Sequence, residues 1–383
     1  MPERRSRFAH QRDRIVMTDA GPSHGKLLEE FAARRASALA RAISIVENRR
    51  AGAAQLLAVL HPRLGRARRI GITGPPGAGK STLTTRLAEH YRRNGLTVGI
   101  IAVDPTSPFT GGALLGDRIR MESVALDHGI FIRSMATRGA LGGLAAATRD
   151  VCDVLDAYGF DRLLVETVGV GQSELDVART ADTSVLVIVP ESGDSIQTLK
   201  AGLMEAADLF VVNKADRPGA DRMRNEMKLM LGLRMGQLAR NVPAHHGVDL
   251  AHGSRRARAD RDAPAEGGAP TWVPTVLATS AERGEGIDEL ATALDAHFDY
   301  LRSSGLLLSR RRERLRDRVV EGVDRSLHDR IWNDRSLAAK LEAMLPEVED
   351  GRTTPLAASE TLVAQVATLL SHSRSTNSES EVA

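Results

Sequence analysis

One short run of residues carries the sharpest chemistry in the chain: Gly74, Pro75, Pro76, Gly77, Ala78, Gly79, Lys80, Ser81 and Thr82. Glycine, four residues, then Gly-Lys-Ser is the spelling of a loop that cradles a phosphate chain. Glycines at these places let the backbone turn with its N–H groups inward, making an anion site that side chains would otherwise fill. Lys80 would reach the β- and γ-phosphates, and the Ser81 hydroxyl would hold Mg²⁺. Two further segments supply carboxylates. In Glu166-Thr167-Val168-Gly169, Glu166 would hold a Mg²⁺-bound water and the Gly169 N–H would touch the γ-phosphate. Asp104, which begins Asp104-Pro105-Thr106-Ser107-Pro108, is expected at the Mg²⁺ or the attacking water rather than as a turn cap. Asp117 has the same two readings, and the sequence does not choose between them.

Asn213-Lys214-Ala215-Asp216 points to the base that the phosphates carry. Guanine presents N1–H and an exocyclic amino group along one edge, so a single carboxylate accepts both bonds. Adenine has an acceptor at N1 and would leave Asp216 repelled. Asn213 would brace the neighbouring loop, and the Lys214 stem would cover a face of the base. Thr279-Ser280-Ala281 would support the same pocket, with the Ala281 N–H at the guanine carbonyl. GTP and GDP are therefore the expected ligands, with Mg²⁺ as cofactor. Val170 stands directly after Gly169, where Ras-like enzymes place a glutamine that positions water. Intrinsic hydrolysis is expected to be slow, or completed by a partner.

These segments need a scaffold that brings strand ends together. Apolar runs are expected as strands at Ile70–Thr73, Thr97–Val103, Gly129–Ile132, Arg162–Val165, Ser184–Val189, Leu209–Val212 and Thr275–Ala278. Most are separated by helical patterns, such as Leu83, Leu87 and Tyr91 at four-residue spacing after the phosphate loop. Continuous apolar strands between helices give an α/β fold, a doubly wound and mostly parallel sheet. Such sheets bind ligands at the carboxyl ends of their strands, where the polar motifs all fall.

The expected organisation is a tail over 1–25, a helical region over 26–66, a nucleotide domain over 67–298, a helical arm over 299–372 and a polar tail over 373–383. Within the domain, 235–273 reads as a surface loop. Its histidines, His245, His246 and His252, lack companions at metal-ligand spacing and read as loop residues. In the arm, Val320, Val323, Leu327 and Ile331, then Leu337, Leu341 and Met344, form apolar stripes. They serve equally well for folding back on the domain or for pairing two copies. Ser134-Met135-Ala136-Thr137-Arg138-Gly139 reads as a partner-facing loop.

Composition narrows the field. The net charge is +3 and aromatics are 3% of the 383 residues, so neither broad charge nor stacking platforms indicate nucleic acid. The lone Cys152 excludes an internal disulfide framework, fits a reducing cytoplasm and reads as a buried apolar residue. No apolar run is long enough to span a bilayer. Arg4, Arg5, Arg7, Arg12 and Arg14 faintly suggest a transit peptide, against which Glu3 and Asp13 argue. A solvated tail is the expectation, and Met17 offers an alternative start.

Taken together the segments resemble the MeaB/ArgK-type GTPases, a SIMIBI-class branch of the P-loop NTPases. The resemblance runs over roughly residues 38–350. It rests on Ala40-Arg41-Ala42-Ile43 with Val46-Glu47-Asn48, the phosphate loop, Val103 to Pro108, Gly116 to Met121, Ser134 to Gly139, Glu166 to Gln172 and Asn213 to Asp216. It implies a homodimeric, Mg²⁺-dependent GTPase. Such an enzyme would gate delivery of adenosylcobalamin to an acyl-CoA mutase such as methylmalonyl-CoA mutase, and protect or reactivate it. Asp104, Asp117 and Glu166 would line the Mg²⁺ and switch region. Asp194, Gln197 and Lys200 would fall in a further switch loop facing the mutase. The segment from about 236 to 269 is longer than the resemblance leads one to expect. The alternative is a nickel-delivery GTPase of the hydrogenase or urease maturation type, which would need Cys and His ligands beside the nucleotide.

Overall fold

The computed structural model describes residues 24–104, 121–136, 143–167, 177, 180–190, 201–234 and 272–372. The chain opens with three short helices, α1 (Gly25–Ala32), α2 (Ala36–Glu47) and α3 (Ala53–Leu60). Then come β1 (Arg68–Thr73), α4 (Lys80–Arg93), β2 (Val98–Asp104), α5 (Glu122–Ala125), β3 (Ile130–Ala136), α6 (Gly143–Tyr158) and β4 (Arg162–Thr167). β5 (Thr183–Ile188), α7 (Ala201–Ala206), β6 (Leu209–Val212), α8 (Ala220–Arg234), β7 (Thr275–Ala278) and α9 (Ile287–Ser303) follow. The last helices are α10 (Leu306–Trp332), α11 (Arg335–Glu349) and α12 (Pro355–His372).

Among the described residues the seven strands form one sheet in the order β3-β2-β4-β1-β5-β6-β7, and every pairing is parallel. Strand alternation sends successive side chains to opposite faces. Ile70 and Ile72 of β1, Val98 and Ile100 of β2 and Val185 and Val187 of β5 join a core with Leu83, Leu87 and Tyr91 of α4 and Leu290 and Leu294 of α9. Ile101, Val103, Leu163 and Val165 face the other way, toward Leu39, Ile43 and Val46 of α2 and Val151 and Leu155 of α6. A third cluster places Phe210 and Val212 of β6 against Met223 and Met227 of α8. Both faces are thus covered, which a parallel sheet requires.

All seven expected strands are present; Leu209–Val212 and Thr275–Ala278 keep their expected ends and the others shift at one or both ends. β3 runs four residues beyond its expected end, so Ser134, Met135 and Ala136 belong to a strand rather than a partner-facing loop. Met135 is buried there. The proposed boundary after 298 falls inside α9. Trp272, expected in a surface loop, instead donates from Nε1 to the Asp208 carbonyl at 3.0 Å, so the folded domain already includes it. Cys152 is fully buried in α6.

The chain divides into two compact units, the first ending at Arg311 and the second starting at Arg312. In the second, Asp334 caps α11 by accepting from the Ser336 and Leu337 N–H groups at 2.9 and 3.0 Å. Among its described residues Leu337, Ala358 and Leu362 are buried apolar ones, while Val320 and Val323 of the 27-residue α10 are 51% and 52% exposed. Among the described residues no helix is long and apolar enough to cross a membrane.

Candidate nucleotide site

The site is assembled by register at the carboxyl end of the sheet. β1 pairs with β4 through Ile72↔Glu166 and with β5 through Thr73↔Leu186, so the loop at 74–79 emerges between them. Glycine is required at its start. Gly74 has φ 141°, and a Cβ there would run into the Val187 carbonyl oxygen. The loop ends at Gly79, whose Cβ would strike the amide of Asn213. Lys80, at the first turn of α4, is buried, and its Nζ donates to the Gly74 and Pro75 carbonyls at 2.9 Å each. Its ammonium therefore already sits over the loop's mouth. Pro76, Gly77 and Thr82 lie at the exposed surface, while Ala78 is buried.

The Ser81 hydroxyl donates to Glu166 Oε1 at 2.6 Å, and both residues are buried. A hydroxyl and a carboxylate side by side beneath a phosphate loop suit Mg²⁺, which takes few protein oxygens and completes its shell with phosphate and water. Among the described residues no group of three or more His, Cys, Asp or Glu is arranged to hold a metal. Asp104 closes β2, opposite Ala136 in register. Asp117, Gly169, Asp194, Gln197 and Lys200 lie outside the described residues, as do Thr137, Arg138 and Gly139.

The base side forms where β6 and β7 end together, Val212 opposite Ala278. Asn213 follows on one strand and Thr279 on the other. Asn213 is 2% exposed and ties three segments together. Its Nδ2 donates to the Ala78 carbonyl at 2.9 Å. Its Oδ1 accepts from Thr279 Oγ1 at 3.0 Å and from the Ala281 N–H at 3.1 Å. Removing that amide would cut the phosphate loop from both base loops at once. Lys214 takes the left-handed conformation, φ 56°, which a non-glycine residue adopts at a cost of about 1–3 kcal/mol. That twist turns the chain toward Asp216. Asp216 Oδ1 accepts from the Ser280 hydroxyl at 2.8 Å, and Arg283 Nη2 stands 3.4 Å from Oδ2. The Ser280 hydroxyl, with Arg283 beside it, holds the Asp216 carboxyl below the usual carboxylate range.

The Ala281 N–H, expected at a guanine carbonyl, is thus directed at Asn213. A ligand would share that donor rather than find it unengaged. Sequence reasoning missed Arg283, and missed Arg86 of α4, which donates to the Ala281 carbonyl. An arginine six residues after the phosphate lysine has no spacing signal; only the fold brings it to the base loop.

Residues 39–336 match the family described as methylmalonyl Co-A mutase-associated GTPase MeaB. The chain belongs to the MeaB family. The match begins in α2, ends in α11 and contains every strand and every residue of the site. Relatives agree with it. A protein of Pyrococcus horikoshii that carries a GTPase designation is 45% identical over 328 residues, 85% of this chain and 90% of its own length. GTPase ArgK of Escherichia coli is 37% identical over 80% of this chain and 88% of its own. The crystal structure of an LAO/AO transport system kinase superposes with a TM-score of 0.63 at 25% identity, covering 91% of this chain and all of that one. As a MeaB-family member this chain is a P-loop GTPase, and its enzymatic activity is the hydrolysis of GTP.

Proposed function

We propose that this GTPase gates adenosylcobalamin delivery to a cobalamin-dependent acyl-CoA mutase such as methylmalonyl-CoA mutase, and protects or reactivates that enzyme. The observation that carries the GTP half of this reading is Asn213, whose single amide links the phosphate loop to both base loops. The mutase half is supported by the family's description.

In this reading Lys80 exchanges its two backbone carbonyls for phosphate oxygens, and Asp216 accepts the N1–H and amino group of guanine. Ser81 and Asp104 would hold Mg²⁺ directly and Glu166 would hold it through a bound water, and the ion would supply charge neutralisation at the phosphate oxygens. The Ser81 oxygen keeps lone pairs for the ion while its hydrogen remains on Glu166, so the existing contact already orients both groups. Gly169 and Asp117 follow β4 and β2 as the parts that respond to the γ-phosphate. Asp194, Gln197 and Lys200 are assigned to contact with the mutase. The chain works as a homodimer in the cytoplasm, paired through the exposed Val320 and Val323 of α10. It acts without nucleic acid or membrane. Nickel delivery would need Cys and His ligands at the nucleotide, and this chain has one cysteine, Cys152, buried in α6.

The test is GTP turnover by this chain with and without a purified cobalamin-dependent acyl-CoA mutase such as methylmalonyl-CoA mutase. Acceleration of GTP turnover by the mutase is expected. No binding and no change of rate with any cobalamin mutase would remove the chaperone reading and leave the GTPase alone.

A further inference from the structure

The base loop is held at Asn213, at Asp216 through Ser280 and Arg283, and at Arg86, and of these contacts only those of Arg86 lie outside the base-reading group. Ser280 and Glu285 exchange backbone hydrogen bonds at 3.0 and 3.1 Å, and the Gly284 N–H reaches the Ala281 carbonyl at 3.3 Å. These close the loop on itself. They leave its exposed tip, Glu282 to Gly284, fixed to the domain only by what grips it from outside. Asn213 holds the Ala281 N–H on the β6 side. Arg86 holds the opposite edge: Nε donates to the Ala281 carbonyl at 3.0 Å and Nη2 to the Glu282 carbonyl at 3.1 Å.

A guanidinium is a flat, fixed fork, so two successive carbonyls on one fork have little freedom left. Arg86 is itself aimed, since its Nη1 donates to Glu89 Oε2 one helical turn on at 2.9 Å. Glu89 Oε1 in turn accepts from Ser123 Oγ of α5 at 3.1 Å. The line of contacts runs from α5 through the phosphate helix to the loop whose Ser280 orients Asp216.

We infer that Arg86 is a positioning residue for guanine specificity: anchored on the phosphate helix, it fixes the tip of the base loop so that Ala281 and Ser280 present their donors in register with Asp216. The inference rests on Asp216 being the guanine reader. The hydrogen bonds of Arg86 go to the Ala281 and Glu282 carbonyls and to Glu89, none of them a phosphate-loop residue. Its loss therefore loosens base recognition while Lys80 and Ser81 keep their grip on the phosphates.

The experiment compares full-length wild type, Arg86→Ala and Arg86→Lys. GDP and ADP are titrated against a fluorescent guanosine diphosphate, and steady-state GTP hydrolysis is measured in parallel. For Arg86→Ala, KM for GTP is expected to rise about tenfold with kcat within about twofold, since binding rather than chemistry is affected. The preference for GDP over ADP is expected to narrow by about the same factor. Arg86→Lys retains the charge and one donor and is expected to fall between the two. It carries the test should the alanine variant not fold. A lowered melting temperature with unchanged base preference and KM would make Arg86 a structural staple and overturn the inference. A lowered kcat at unchanged KM would overturn it as well. A wild type indifferent to the base removes the Asp216 reading and this inference with it; a selective wild type matched by an equally selective Arg86→Ala removes this inference alone.

Discussion

The two ends of the sheet hold similar charged residues in different ways. At the amino end the protein answers its own charges. Arg69 lies between Asp153 at 2.8 Å and Asp156 at 3.2 Å. Asp156 also accepts from the N–H groups of Gly65, Arg66 and Ala67. Arg311 pairs with Asp182 at 2.7 Å, Arg310 with Asp208 at 3.1 Å, and Arg68 and Arg162 share Asp295. At the carboxyl end Lys80 donates to carbonyls of its own loop and Ser81 to Glu166. The carbonyls under Lys80 offer what phosphate oxygens would, so those bonds can be exchanged, while the Ser81 oxygen keeps lone pairs for an ion beside Glu166. The amino-end pairs cannot be exchanged, because each partner is committed to several others. Structural and ligand-binding charge are thus told apart by what else the partner holds, not by residue type.

Breaking one side at a time sharpens that contrast. Lys80→Ala is expected to reduce GTP hydrolysis by about a thousandfold, since phosphoryl transfer depends on such charge stabilisation. Its melting temperature should stay close to that of wild type; phosphate release and calorimetry read the two effects. Asp156→Ala should do the reverse. It leaves Arg69 with Asp153 alone and removes the acceptor of three backbone donors, an expected loss of about 3–5 kcal/mol. Denaturant unfolding would show that loss, while the folded fraction keeps its affinity for GDP. If both variants lose stability and activity together, the two ends are not separable.

Asp216→Asn is a smaller, directional change. It replaces an acceptor by a donor, and is expected to weaken GDP by about tenfold or more while favouring xanthosine diphosphate. Competition binding checks this, and an unchanged preference would refute the assignment.

The smallest effect lies at His297, fully buried, with Nδ1 2.8 Å from Thr183 Oγ1 and Nε2 3.4 Å from Asp208. Burial lowers its pKa, with Arg310 adding to the effect and Asp208 and Asp182 opposing it. Because the unfolded chain takes up the proton first, stability is expected to fall as pH drops below about 6.5, the ordinary histidine value. The loss ends once the folded histidine is also protonated. Denaturant midpoints at several pH values would show this slope, and His297→Asn should flatten it.

Much of the fold was legible because parallel strands buried on both faces leave continuous apolar runs. Val98 to Val103 and Leu209 to Val212 are examples. The phosphate loop was legible because backbone geometry dictates its glycines, as Gly74 against Val187 shows. The meeting of Ser81 and Glu166 was legible from their motifs, but their direct hydrogen bond was not, since it depends on β1 and β4 being neighbours although two strands separate them in sequence. Arg86 and Arg283 were missed for the same reason: nothing local marks a residue whose partner lies across the fold. The end of β3 was misjudged because Arg133 and Ser134 interrupt its apolar run. Arg133 is accommodated by an ion pair with Glu47 of α2.

The central claim is that a phosphate loop and a distant carboxylate together select guanine nucleotides. Calorimetric titration of the wild-type chain with GDP and with ADP, in the presence of Mg²⁺, tests it most directly. The account predicts one site per chain that prefers GDP by at least about a hundredfold, the scale set when a buried hydrogen-bonding group is left unmatched. Equal affinity for the two nucleotides, or no heat with GDP, would contradict it.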